Sequence, residues 1–509
     1  METAILIVGA GPTGLVLALW LAQFGIASRI IDKDAGPGET SRAMGVQART
    51  LELYQQIGLA NEIIEKGIKA NVFNIRKNGR RTFSFQLGEM GKGLSPFPYL
   101  LSFPQDDHEK VLIEHLQQVG ITVERNTELI DFSQTTEHVQ AILNTKQGLE
   151  TIKIAYLCGC DGAHSIIREM LKIGFPGGTY SQIFYVADVK ATGEAANGEV
   201  QMGVSQQDFC LVLPVRSSGS LRLIGIVPPD KEFKENITCD DIQSAVNRDT
   251  KLTINTVNWF STYHVHHRIA QQFKQNRIFL LGDAAHIHSP VGGQGMNTGI
   301  GDAINLAWKM AAVLQNRATA DLLESYEIER ISFAKQLVSS TDKAFQLMTN
   351  SGILGKCWRG AIFPFLLPLL LQWQVVSRYL FKIISQIEVK YRQSPLSQGH
   401  VNKIHGGDRL PWVKYADTDN FASLQLLDWQ VHIYGIATAA IKNILQKLHL
   451  TLNVYPWDKQ AENAGLQKDA MYLIRPDGYT ALVCANQDAQ VLENFLTRYK
   501  IISRKKGDA

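Results

Sequence analysis

The chain has 509 residues, 45% of them hydrophobic and 19% charged, with 51 basic against 48 acidic residues for a net charge of +3. This is ordinary globular composition, which excludes a disordered or fibrous protein and gives length for about three domains. The charges are spread along the chain apart from a short basic tail at Arg504, Lys505 and Lys506, which argues against nucleic acid as a partner.

Six cysteines, at 158, 160, 210, 239, 357 and 484, form no C-x-x-C and are too scattered for a disulfide framework. A reducing cytoplasm is therefore the expected location. The opening "METAILIVGAGPTG" runs straight into a buried-strand pattern with no basic segment and cleavage site, so no export signal is expected.

Residues 4–8, "AILIV", read as a strand buried on both faces, followed by Gly9, Gly11 and Gly14 in G-x-G-x-x-G spacing and a helix from Leu15 to Phe24. Gly9 permits a tight turn, Gly11 lets backbone amides approach a pyrophosphate, and Gly14 lets the helix pack on the sheet. The helix start, with Pro12 at its head, offers unpaired amides to an anion. A second strand, "SRIID", delivers Asp32 and its neighbour Lys33 where a carboxylate accepts from an adenosine ribose. The unit predicts dinucleotide binding without separating FAD from NAD.

"YLCGCDGAHSIIR", residues 156–168, offers two candidates. Cys158 and Cys160 could be a metal or redox pair, although no second cysteine pair exists to complete a zinc site. The alternative is Asp161-Gly162 ahead of a helix, with Arg168 on that helix. For Asp161 the plain reading is a helix N-cap, which does not exclude a binding role.

Residues 277–311 again run from an apolar strand, Ile278 to Leu281, through Gly282-Asp283 and "PVGGQGMN" into a helix with Ile300, Ile304, Ala307 and Ala311 at helical spacing. An acid at a strand end beside a glycine-rich helix entry suits a polyol hydroxyl and a ring carbonyl contacted together. That is the shape of a flavin site. No metal site is expected. "HVHH" at 264–267 shows no third ligand, and His286 and His288 read as pocket lining.

Together the three motifs resemble, in order, those of the aromatic hydroxylase branch of single-component FAD monooxygenases, the group of para-hydroxybenzoate and phenol hydroxylases. "SRAMGVQARTLELYQQIGL" (41–59), "FPQDDHEKVLIEHL" (103–116) and "YRQSPL" (391–396) agree. The resemblance implies an α/β chain with a Rossmann-like FAD-binding domain from 1–72, 101–180 and 271–345, and an inserted β-sheet substrate domain from 73–100 and 181–270. A helical segment, 346–400, and a linker, 401–412, would lead to a thioredoxin-like C-terminal α/β domain, 413–509, that lacks the redox C-x-x-C. It implies that Arg42 and Gln105 contact the phosphate and ribityl region and that Asp283 bonds the ribityl chain. Pro290 and the backbone of Gly293, Gly295, Met296 and Asn297 would line the ring. The Asp161-Gly162 loop would help hold both the FAD ribose or pyrophosphate region and the incoming nicotinamide, with Arg168 steadying it from the helix that follows.

The implied reaction is NAD(P)H-dependent reduction of FAD, addition of dioxygen to give a flavin C4a-hydroperoxide, and oxygen transfer to an aromatic or polyketide-like small molecule, by hydroxylation or epoxidation. NADH and NADPH are not distinguished, and the substrate-activating base is open, with Tyr263, His264 and Arg216 as candidates. Two alternatives are kept. One is a halogenase or isoprenoid reductase on the same fold, although no W-x-W-x-I-P is found. The other is a non-catalytic binding relative. A homodimer is possible. "AIFPFLLPLLL", residues 361–371, is too short to span a bilayer. Its favoured reading is a buried helix or apolar tunnel wall, with weak membrane contact as the alternative.

Overall fold

The computed structural model describes residues 4–38, 43–205, 208–215, 219–289, 293–349, 362–363 and 365–503. A six-stranded sheet forms the base of the site, in the spatial order Lys274–Gln275, Ile278–Leu280, Tyr156–Gly159, Ile5–Val8, Ser28–Asp32, Glu124–Arg125. Ile5–Val8 runs parallel to both Ser28–Asp32 and Tyr156–Gly159, and the latter runs parallel to Ile278–Leu280. Parallel strands covered on both faces demand continuous apolar runs, and Ile5, Leu6, Ile7, Leu157, Ile278 and Leu280 are fully buried. The helix Pro12–Gln23 covers the sheet with side chains buried all round, Leu15 to Leu21 included.

The topology has one consequence that matters most. All three motifs leave the carboxyl ends of adjacent parallel strands, Val8 into Gly9, Gly159 into Asp161 and Leu280 into Gly282. In open α/β sheets that edge is where ligands bind.

Beside it stands an eight-stranded sheet, ordered His286–Ile287, Leu252–Ile269, Gly177–Gly193, Ser220–Ile226, Phe209–Val215, Val200–Val204, Val72–Lys77, Arg80–Gln86. Side chains alternate across it. Tyr185, Ala187 and Val189 face the helix Cys239–Thr250, while Phe184 on the other face joins Phe209, Ile226, Val265 and Phe345. His286–Ile287, on the segment assigned by sequence to the FAD-binding part, pairs as the edge strand of this sheet. The Gly-Asp motif therefore runs directly into the eight-stranded sheet.

The C-terminal sheet is ordered Thr451–Tyr455, Gln430–Tyr434, Met471–Ile474, Thr480–Cys484, with the first pair parallel and the others antiparallel. This βαβ-plus-hairpin order, closed by the helix Ala489–Arg498, is that of a thioredoxin-like domain. Two expectations change. Residues 401–412, read as a linker, are packed: Val401, Ile404 and Leu410 are buried in the C-terminal core, because the hairpin His400–Val401/Ile404–His405 lies along Thr480–Cys484. The described part of 361–371 is not a buried wall, since Phe365, Leu366, Leu369 and Leu370 stand exposed and only Leu371 is buried. Among the described residues, no helix is long and apolar enough to cross a membrane.

Candidate active site

The three motifs touch one another through glycine. A Cβ on Gly9, whose φ is +102°, would lie 2.2 Å from the Cys160 carbonyl oxygen, and one on Gly14 would lie 2.0 Å from Gly9 O. A Cβ on Gly282 would meet Thr13 Oγ1 at 2.6 Å, and one on Gly299 would meet it at 2.3 Å. Backbone therefore packs on backbone at Gly9 and Gly14, and on the Thr13 side chain at Gly282 and Gly299. By contrast, positions Gly11, Gly162 and Gly293 look onto open space within 4 Å.

Two helix N-termini open into that space. Pro12–Gln23, with Gly11 at its N-cap, has no side-chain cap and no acid in its first turn, and the same holds for Gly295–Leu314. Uncapped amides without a competing carboxylate are suited to an anion. Asp32 is held at the rim: its Oδ2 accepts from Ala10 N at 2.7 Å and its Oδ1 from Asp34 N at 2.9 Å, with Lys33 exposed beside it. Each carboxylate oxygen keeps a lone pair for a sugar hydroxyl.

Asp161 Oδ2 accepts from Ile167 N at 3.2 Å, while its Oδ1 is buried with no protein partner. The helix cap proper is Ser165, which accepts from Arg168 N. A buried oxygen without a partner is the mark of a group waiting for a ligand hydroxyl. Arg168 lies flat over Phe175 and donates to Ala284 O and Ala163 O, both at 2.9 Å, so it ties the Asp-Gly loop to the Gly-Asp loop. Gln105 heads its helix with its backbone amide on Ala43 O, and its side chain donates to Glu109 at 2.8 Å. Asp283 is exposed after buried Gly282. Met296 packs partly buried against the core. Arg42, Arg216 and Pro290 lie outside the described residues.

Asn297 is fully engaged as a clasp. Its Nδ2 donates to Gly45 O at 2.8 Å and Gly293 O at 3.0 Å, and its Oδ1 accepts from Gln47 N at 2.9 Å and Thr50 Oγ1 at 2.7 Å. Only its backbone is left for a ligand. The two histidines of the motif also part company. His286, read as pocket lining, points instead into the core, with Nε2 2.7 Å from Asp302 Oδ2. His288 Nδ1 lies 2.8 Å from Ser289 O, and its Nε2 is buried without a protein partner, on the side of Gly295. Burial pulls the His288 pKa down to about 4, so the ring is neutral at pH 7 with a free acceptor.

Sequence reading missed the support beneath. Asp302 Oδ2 accepts from Gly282 N at 2.9 Å, and Arg330 pairs with Oδ1 while donating to Thr298 O at 2.9 Å. Burial alone would push the Asp302 carboxyl up, but Arg330 and His286 hold it below the ordinary carboxylate range. A lone acid on an apolar helix was the available signal. The C-terminal domain grips this helix and the next: Asp477 accepts from Trp308 Nε1 at 3.1 Å, and Arg475 pairs with Glu329 of the helix Glu324–Thr349 at 2.7 Å. Cys158 is buried with Sγ 3.9 Å from the Met310 sulfur, and burial raises both thiol pKa values. Among the described residues, no group of three or more His, Cys, Asp or Glu could hold a metal ion.

Open glycine positions over two uncapped helix ends, a rim carboxylate and an orphaned buried oxygen fit a flavin dinucleotide, which places the protein among flavin-dependent oxidoreductases. A family model described as an FAD binding domain matches residues 2–341. The chain belongs to this family of FAD-dependent aromatic hydroxylases and monooxygenases. It is 31% identical over 407 residues to 6-methylpretetramide 4-monooxygenase of Streptomyces rimosus, covering 78% of this chain and 71% of that one. It is 31% identical over 356 residues to pentachlorophenol 4-monooxygenase of Sphingobium chlorophenolicum, covering 69% and 66%. The solved structure of OxyS anhydrotetracycline hydroxylase from Streptomyces rimosus matches with a TM-score of 0.79 at 25% identity, over 99% of this chain and 100% of that one. The protein is an FAD-dependent monooxygenase.

Proposed function

We propose that this monooxygenase uses NAD(P)H and dioxygen to hydroxylate an aromatic, polyketide-like ring system. The observation that carries the substrate class is the aromatic cluster on the large sheet. Phe184 lies with ring centroids 6.2 Å from Phe209, 6.0 Å from Tyr263 and 5.4 Å from Phe345. These rings come from three strands and the helix Glu324–Thr349, on a sheet whose edge strand continues the Gly-Asp motif. Phe184 and Phe345 are themselves buried, so a flat ring would meet this cluster at its half-buried member Tyr263, by offset and edge contacts that keep water away. The relatives named above act on ring compounds, which agrees.

The amides from Gly11 to Gly14 would hold the pyrophosphate, Asp32 the ribose, Asp283 the ribityl chain, and the turn 293–297 the pyrimidine end of the ring. When bound, FAD supplies hydride acceptance and oxygen activation. His288 Nε2, neutral, is placed to accept a proton or hydrogen bond beside Gly295.

The nicotinamide donor finds support in charge. A cleft of about 450 Å³ is lined by His267, Arg268, Gln271 and Lys335. Burial first, and then the nearby Arg268, His264 and His164, lower the pKa of His266. A cleft that carries Arg268 and Lys335 would draw phosphates.

The test is NAD(P)H oxidation against a panel of phenols and polycyclic aromatics, with mass spectrometry of the products. Stimulation with a product heavier by one oxygen atom supports the reading. A chlorinated product in chloride buffer, or oxidation that no ring compound stimulates, would sink it.

A further inference from the structure

We propose that the face carried by residues 365–383 docks on an anionic membrane surface. Large apolar side chains are exposed singly over most proteins, but here they concentrate. Of the nineteen that stand exposed among the described residues, eight fall between Phe365 and Ile383. On the helix Gln374–Ile384, Val375, Tyr379 and Ile383 recur at every fourth position and are 82%, 60% and 39% exposed. Trp373, at the helix N-cap, is 67% exposed.

The opposite face of this helix is already satisfied. Phe381 is buried against Gly91, so close that a Cβ there would lie 2.5 Å from Phe381 Cζ. The outward stripe is therefore a second apolar face, exposed among the described residues. Trp373 N donates to Leu370 O at 3.1 Å, which joins the stripe to exposed Leu369 and Leu370 of the preceding helix.

Charge decides what covers it. From Phe365 to Ile387 the chain contains no Asp or Glu, but it contains Arg378 and Lys382. Arg378 and Lys382 flank the stripe on the helix itself. Arg378 donates to Lys92 O at 2.8 Å, bringing the exposed Lys92 ammonium alongside, and Lys77 sits 4.8 Å from the Phe365 ring centroid. The acids nearby are Glu89, 3.8 Å from Lys92, and Glu388, 3.6 Å from Lys382. A second copy of this chain docked by a two-fold axis would set these cations against themselves. An anionic lipid surface complements them.

Trp and Tyr on an apolar stripe with Lys and Arg at its margins is the composition that settles at headgroup depth. Since none of the described helices can span a bilayer, the mode is lying on the surface rather than insertion through it.

The test uses the full chain loaded with FAD and floated with vesicles of phosphatidylcholine alone, or with about one quarter phosphatidylglycerol. The expected result is flotation with the anionic vesicles, on the order of tenfold weaker with phosphatidylcholine alone, and weakened by salt. The Arg378→Gln, Lys382→Gln variant should lose roughly tenfold or more in partitioning, at about fivefold per charge, and Trp373→Ser, Tyr379→Ser should lose a similar amount. Both should keep the flavin spectrum and melting temperature of the parent, which separates docking from unfolding. Failure to float with either vesicle overturns the proposal. So does a dimer in sedimentation that Trp373→Ser, Tyr379→Ser splits into monomers, because the face is then covered by a second copy.

Discussion

The two glycine-rich turns of the candidate site look alike in sequence and are held in opposite ways. The turn from Gly9 to Gly14 is backbone against backbone, with no space for a Cβ at either end and no side chain capping its helix. The turn from Gly293 to Asn297 has room: nothing lies within 4 Å of a Cβ on Gly293, and the nearest atom to one on Gly295 is His288 Nε2 at 3.8 Å. Its shape comes from side chains, Asn297 on Gly45, Gln47 and Thr50, Gln386 on Gln294 O at 3.3 Å, and Arg330 on Thr298 O. The first turn should tolerate no added atom at Gly9 or Gly14. The second should tolerate atoms but not the loss of its clasps.

The largest effect is expected at the first turn. Gly14→Ala puts a methyl 2.0 Å from Gly9 O, which only a backbone shift can relieve. We expect apoprotein, measured as loss of flavin absorbance after purification, and a stability loss of about 3 kcal/mol or more. Gly293→Ala, at φ +60°, should cost only about 1–2 kcal/mol in backbone strain and keep flavin. If the two variants lose flavin equally, the distinction between the turns is wrong.

Beneath the second turn, Asp302→Asn leaves the buried Arg330 guanidinium without its counter-charge. Breaking a buried pair on one side costs about 3–5 kcal/mol. Denaturant unfolding should show that loss. Asn297→Ala comes next: it strands Gln47 N and Gly45 O in the interior, for about 1–3 kcal/mol together with weaker flavin binding by titration.

How much of this was readable follows from where the partners lie. The strands Ile5–Val8 and Ile278–Leu280 and their glycines were legible because doubly covered parallel strands need unbroken apolar runs and a close phosphate turn needs glycine. The role of Asn297 was not, since its partners Gln47 and Thr50 are some 250 residues away. Arg475 on Glu329 and Arg330 on Asp302 were hidden for the same reason, as charges look solvated until their burial is known. The aromatic cluster draws single rings from four elements, with no motif in any one of them. At 361–371 the sequence showed an apolar run but not its direction, and the described side chains turn outward.

Acid should reach the second turn first. His288 is pulled down to about 4 by burial, below the ordinary histidine value of 6.5. A lowered folded-state value means that the unfolded chain binds the proton between those limits. Stability from this group is full above pH 6.5 and falls as pH drops toward 4, by about 1 kcal/mol per pH unit. Melting curves at pH 7 and 5 should show a smaller decline in His288→Gln than in the parent. An unchanged slope would mean that the ring is hydrated rather than buried.

The smallest effects are expected at Cys158 and Cys160, the pair that first draws the eye in "YLCGCDGAHSIIR". Both thiols are pushed well above their ordinary pKa by burial, so neither is a thiolate at neutral pH, and Cys158 meets Met310 rather than a ligand. Serine at either site keeps the volume and adds a hydroxyl to an apolar contact, for about 1 kcal/mol and unchanged flavin content. Asp161→Ala, one residue on, removes the acceptor for Ile167 N and the buried Oδ1 that has no hydrogen-bond donor. It should weaken flavin retention or its reduction by NAD(P)H while the melting temperature falls modestly. If Cys160→Ser instead abolished reduction in a folded, yellow protein, the chemistry of this loop would lie in its sulfur after all.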